Sequence, residues 1–158
     1  MTYSQKYTLV YFITPLKNGV EFHMSNWPLH VTLADTFAMD GNKADIAAKL
    51  AELIADIDSA RTTALKDTVL GTTPVVLLDK TIELQQLHET LANVLEKNGV
   101  VFNHPEFIHD GFLPHSTIQG NERLRPGDKI LIDNLSLIDM FPSGDWQQRK
   151  VLATSRLN

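Results

Sequence analysis

Residues 8–14 (TLVYFIT) form an unbroken β-branched and aromatic run closed by Pro15, the pattern of a buried strand. After a polar stretch over residues 17–28, residues 30–37 (HVTLADTF) alternate polar with apolar and predict a strand with one buried face. The period then changes. Ile46, Leu50, Leu53, Ile54 and Ile57 recur at helical spacing, and Asn42, with Asp45 three residues on, supplies an N-cap. Residues 61–70 and 74–79 predict two further strands, broken at Gly71-Thr72-Thr73-Pro74. Leu84, Leu87, Leu91, Val94 and Leu95 form the stripe of a second helix, which Asn98-Gly99 ends. Residues 102–114 hold two prolines and a glycine and predict a loop, and residues 115–119, 129–141 and 146–156 predict three closing strands. The expected order is two strands, a helix, two strands, a helix and three strands. Each half carries one histidine-bearing strand and one helix. Trp27-Pro28-Leu29-His30-Val31-Thr32-Leu33 and Phe112-Leu113-Pro114-His115-Ser116-Thr117-Ile118 align as a faint internal repeat, with the prolines one position out of register.

A chain of 158 residues fits a single domain spanning 1–158, or two closely packed lobes, and can bury a proper core. A hydrophobic share of 43% with 21% charged residues is an ordinary globular balance. No apolar run approaches the ~18 residues needed to cross a bilayer. Residues 1–7 lack the charged-then-apolar order of a signal peptide, so the expected setting is a cytoplasmic monomer. The absence of cysteine excludes disulfides, thiolate zinc sites and cysteine nucleophiles together. A formal net charge of −5 argues against a grip on long duplex nucleic acid, which needs phosphate neutralisation by a basic surface. The expected partner is therefore a small nucleotide or a short RNA end, with no membrane involved.

The pattern His-x-Thr-apolar occurs three times, at His30-Val31-Thr32-Leu33, His88-Glu89-Thr90-Leu91 and His115-Ser116-Thr117-Ile118. In a strand, residues i and i+2 share a face, so His30 emerges with Thr32 and His115 with Thr117, while Ser116 faces away. His88 and Thr90 fall in the second helix, where residues two apart are not neighbours, and that match serves as a control expected to be silent. Two strand-borne units suit phosphoryl transfer. One imidazole takes a proton from the attacking oxygen, the other gives one to the leaving oxygen, and the threonine hydroxyls hold the non-bridging oxygens. Nothing in this scheme needs a metal or a cofactor. The loops for ATP phosphates and dinucleotides and the serine-hydrolase elbow are all missing.

The paired units, separated by 85 residues with a helix after the first and a helix before the second, resemble the two-histidine (2H) phosphoesterase superfamily. That group includes 2′-5′ RNA ligase-like proteins and cyclic nucleotide phosphodiesterases. The resemblance implies an α+β, bilobal fold in which two antiparallel sheets face a central cleft, with helices outside and a pseudo-two-fold repeat. It also implies His30 and His115 as catalytic groups and Thr32 and Thr117 as phosphate-binding groups. The substrates it implies are 2′,3′-cyclic phosphates, 2′-5′ linkages or ADP-ribose cyclic phosphate. Many members carry an arginine shortly after the second motif, where this chain has Gln119-Gly120-Asn121-Glu122-Arg123.

Rival readings attach to several residues. Trp27 is a candidate for stacking on a base, with core packing an equal alternative. Tyr11 and Phe12 are candidates for the cleft wall or the core. His104, His109 and His115 raise the question of a metal site, although their spacing matches no usual ligand pattern. His23 and Lys17 read as loop residues. The rival functions are a non-catalytic nucleotide or RNA-end binding protein using the same cleft, and a metal-dependent hydrolase built on residues 104–115.

Overall fold

The computed structural model describes residues 5–158, so the first four residues of the N-terminal stretch considered above lie outside the described residues. β1 (Lys6–Phe12), β2 (Glu21–His23) and β3 (His30–Ala38) precede α1 (Lys43–Ile54). β4 (Ala60–Leu70) and β5 (Thr73–Leu78) form a hairpin before α2 (Ile82–Lys97). β6 (Val101–Phe102), β7 (His115–Thr117), β8 (Lys129–Ile132), β9 (Asn134–Asp139) and β10 (Gln148–Arg156) follow. The strands build two antiparallel sheets, one in the order β2-β10-β9-β1-β3-β6 and one in the order β7-β5-β4-β8. The architecture is the bilobal α+β arrangement that the resemblance implies.

The helices start where their caps allow. The Asn42 side-chain oxygen accepts from the amides of Ala44 and Asp45 at 2.9 and 3.3 Å, satisfying donors that the first turn leaves free. The Thr81 hydroxyl does the same for Leu84 at 3.1 Å and donates in turn to the Arg61 carbonyl, tying the start of α2 to β4. Gly99, at φ +79°, ends α2 in a conformation that a side chain would resist. Ile46, Leu50 and Ile54 of α1 and Leu84, Leu87, Leu91 and Leu95 of α2 are buried, as their spacing predicts. α1 packs on β10, whereas α2 packs on β3 and β4 and so touches both sheets.

Burial along β1 shows where the core sits. Tyr7 and Leu9 enter a large apolar cluster shared by both sheets and both helices. Val10 and Phe12, on the opposite face, join Ile138 and Val151 in a smaller cluster against which Phe22 and Trp27 pack.

Two departures from the sequence reading concern strands. β2 and β6 are edge pieces of three and two residues, too short to leave a period. The long strand expected over residues 129–141 is two strands in different sheets, β8 beside β4 and β9 between β1 and β10. β8 alternates exposed and buried residues as a sheet edge does, while β9 is buried along nearly its whole length. Both look apolar in sequence, so the corner at Asp133 leaves no mark in the pattern.

Candidate active site

β3 and β7 reach the site in matched surroundings. In one sheet β1 carries Phe12 opposite His30 and Val10 opposite Thr32; in the other, β5 carries Leu77 opposite His115 and Val75 opposite Thr117. β6 pairs with β3 only at Phe37 and Ala38, so the His30 end of β3 has no strand on that side, and β7 pairs with β5 alone. These two open edges lie against each other. Alternation aims the side chains. Val31, Leu33 and Ser116 are buried, and His30, Thr32, His115 and Thr117 are half-buried on the other faces.

Both imidazoles are held by the same device. His30 donates its Nδ1–H to the Pro28 carbonyl at 2.8 Å, and His115 donates its Nδ1–H to the Leu113 carbonyl at 2.7 Å. Each bond runs to the residue two positions upstream, and it fixes the tautomer in which Nε2 carries the free lone pair. Neither Nε2 has a protein partner among the described residues. The His30 ring also packs on Trp27, with centroids 4.6 Å apart, and on Phe12 at 6.1 Å. Burial pushes the His30 pKa below the ordinary histidine value; the Pro28 carbonyl opposes this, and the nearby His115 charge adds to it.

Thr32 and His115 line one cavity of about 640 Å³. His30 and Thr117 are not on its wall but on the same two strand ends. The remaining wall includes Asp35 and Thr73 together with Val69, Phe107 and Leu113. Among the described residues no three His, Asp or Glu side chains converge as metal ligands. His104 bonds Glu106, and both ring nitrogens of His109 are taken, by Glu89 and by Glu96. His23 pairs with Ser25 on an exposed strand end, and Lys17 is exposed. Tyr11 packs half-buried against the large core cluster. Trp27 packs between His30 and Phe22, with the Arg149 guanidinium 5.9 Å from its ring. Arg123 is held by Asp67 of β4 and by the Leu124 carbonyl.

The helical match forms no third unit, since His88 and Thr90 both lie in α2 and the Thr90 hydroxyl donates to the Gln86 carbonyl, but His88 has a structural place of its own. It is only 1% exposed, and its ring stacks on Phe112 with centroids 3.9 Å apart and planes at 2°. Its Nδ1–H donates to the Leu33 carbonyl at 2.8 Å, and its Nε2 accepts the His109 amide at 2.9 Å. One buried ring thus ties the residue after Thr32 to the loop that leads into His115.

Asp35 is the wall residue that sequence reasoning missed. Read as a regular strand, residues 30–37 send Asp35 to the core face with Val31, Leu33 and Phe37. A carboxylate at an inward position was the available signal that the alternation breaks there.

The chain matches the family model described as the 2′-5′ RNA ligase superfamily over residues 11–146. No curated protein sequence matches it. Its fold is similar to a crystal structure described as a phosphoesterase, with a TM-score of 0.60 at 17% identity, covering 98% of each chain. It is similar also to Escherichia coli LigT solved with 3′-AMP, with a TM-score of 0.58 at 16% identity over 98% of this chain and 99% of that one. A Thermus thermophilus protein gives a TM-score of 0.57 at 16% identity, over 96% of this chain and 97% of that one. The extent of the family match, on a fold that carries two histidine strands edge to edge, assigns this chain to the 2′-5′ RNA ligase superfamily of two-histidine phosphoesterases.

Proposed function

We propose that the protein opens a 2′,3′-cyclic nucleotide or RNA-end phosphodiester with His30 as base and His115 as acid. The observation that carries this reading is the matched pair of Nδ1–H bonds to Pro28 and Leu113, which presents two Nε2 atoms of the same tautomer from two facing strands. Burial keeps His30 in its neutral form near pH 7, the state a base requires. Water attacks phosphorus and passes its proton to His30 Nε2. The bond from phosphorus to one ribose oxygen breaks, and His115, which enters the step as the imidazolium with a second proton on Nε2, gives that proton to the departing oxygen and is left neutral. Thr32 and Thr117 hydroxyls donate to the non-bridging oxygens, where charge accumulates. Cleaving a 2′-5′ linkage uses the same groups, and run backward the sequence forms one. LigT, of similar fold, has been solved with 3′-AMP, ATP and NADP+, ligands of the same chemical class.

The test is turnover of 2′,3′-cyclic nucleotides by the full chain after exhaustive chelation. His30→Ala and His115→Ala should each lower turnover by ~10² to 10⁴-fold, the usual worth of a positioned acid or base. The double variant should be little worse than either single, because the two groups act in one transfer. A protein that binds these nucleotides without converting them is a binding module and sinks the enzymatic reading. Loss of activity on chelation, restored by zinc or manganese, would favour the metal hydrolase instead.

A further inference from the structure

We propose that the cavity beside the histidines selects a guanine base, read by the Asp35 carboxylate; this rests on the phosphodiester reading above. The position of Asp35 is built, not incidental. Tyr7 pairs with Phe37, Leu9 with Ala34 and Val10 with Thr32, so β3 holds two more residues than β1 across this stretch. These register shifts send Ala34 into the core at 1% exposure and turn Asp35 onto the cavity wall with Thr32 and His115. Side chains satisfy the backbone there. The Leu33 carbonyl accepts from His88 and the Ala34 carbonyl accepts from the Thr8 hydroxyl, each at 2.8 Å, and both donors are buried. Bulges of this kind recur beside active sites, where they re-aim a side chain.

The chemistry of the wall narrows the ligand. Among the described residues Asp35 and His115 are its only ionisable side chains, and Asp35 has no ion-pair partner there. Val69, Phe107 and Leu113 are 59%, 51% and 44% exposed, three large apolar side chains left in water around one cavity. Such a slot suits the flat face of a nucleobase, and the cavity is of ordinary ligand size. A carboxylate only accepts hydrogen bonds. Guanine offers it two adjacent donors, N1–H and the 2-amino group, which match its two oxygens as a bidentate pair. Adenine and cytosine offer one amino donor beside a ring lone pair. Uracil offers N3–H flanked by two carbonyl oxygens, both repelled by the carboxylate.

The experiment compares kcat/KM of the full chain for the 2′,3′-cyclic phosphates of guanosine, adenosine, cytidine and uridine. Guanosine should exceed uridine by roughly 5- to 150-fold, the usual worth of one bidentate side chain–base pair, with the other two between. In Asp35→Asn the ratio should shrink to about threefold or less, through KM, because an amide offers one acceptor and one donor. Equal kcat/KM for guanosine and uridine in the wild type, or an undiminished ratio in Asp35→Asn, overturns the base assignment while leaving the phosphodiester reading intact. If none of the four is opened, the phosphodiester reading fails. Equilibrium binding of 3′-GMP against 3′-UMP then decides the pocket, with tighter 3′-GMP supporting it and equal affinity overturning it.

Discussion

Replacing His88 with alanine removes a ring that joins α2 to both histidine-bearing segments. The wild-type ring must be neutral, because Nδ1 donates to the Leu33 carbonyl while Nε2 accepts from the His109 amide, and burial pushes its pKa down accordingly. In His88→Ala that carbonyl and that amide face an emptied space. Each buried group left without a partner costs about 1–3 kcal/mol. Loss of the stack on Phe112 adds ~1 kcal/mol. Water entering the vacated space would recover part, so a net loss of ~3 kcal/mol is expected, a large fraction of the stability of an ordinary domain. At an ordinary urea slope this lowers the unfolding midpoint by ~1–3 M. Turnover should fall as well, since Leu33 directly follows Thr32 and Phe112 lies three residues before His115. Equilibrium urea unfolding followed by circular dichroism measures the first effect, and cyclic nucleotide turnover the second. A midpoint shift under about 0.3 M would refute the reasoning, because it corresponds to less than about 1 kcal/mol at such slopes.

Two further outcomes concern the same loop. His88 and His30 are both pushed below the ordinary ~6.5, so in acid the unfolded chain takes up protons that the folded chain refuses, and stability should fall as pH drops below that value. His109, raised by its bonds to Glu89 and Glu96, contributes stability that is present below ~6.5 and is lost as pH rises through its higher folded value. Urea midpoints between pH 5 and 9 should therefore pass through a maximum. His109→Gln should flatten the alkaline side, and an unchanged alkaline side would remove the ion pairs from the account. Gly111→Ala would drive a Cβ into the Glu106 carbonyl oxygen, forcing the loop apart. A cost of about 1–3 kcal/mol, or ~2–12 °C in Tm for a chain of this size, is expected by thermal melting, and an unshifted Tm would contradict the contact.

The helices and most strands were legible because one residue type at one period decides them. Leu84, Leu87, Leu91 and Leu95 give α2 its buried stripe, and Asn42 has a cap to make. What stayed hidden depends on partners far along the chain. Nothing local to residues 129–141 shows that β8 must pair with β4 and β9 with β1, since an edge strand and a central strand can both be spelled with isoleucine and leucine. The bulge in β3 is hidden for the same reason. The donors that hold it open, Thr8 and His88, sit 26 and 55 residues from the carbonyls they serve.

The four motif residues were legible because strand alternation carries their geometry, and the two Nδ1–H bonds to the carbonyl two residues upstream are equally local. What the sequence could not supply is the difference between the halves. His30 lies under Trp27 and Phe12, partners brought by a loop and a neighbouring strand, whereas His115 stands on the wall of the open cavity. A near-repeat in the chain would give two equal imidazoles, and two equal imidazoles have no reason to divide acid from base. Under the proposed mechanism the rings over His30 break that equality, because desolvation disfavours its charged form. In that mechanism Trp27, whose ring centroid lies 4.6 Å from that of His30, would bear on the direction of proton flow through this packing, alongside the base-stacking role its sequence position suggests.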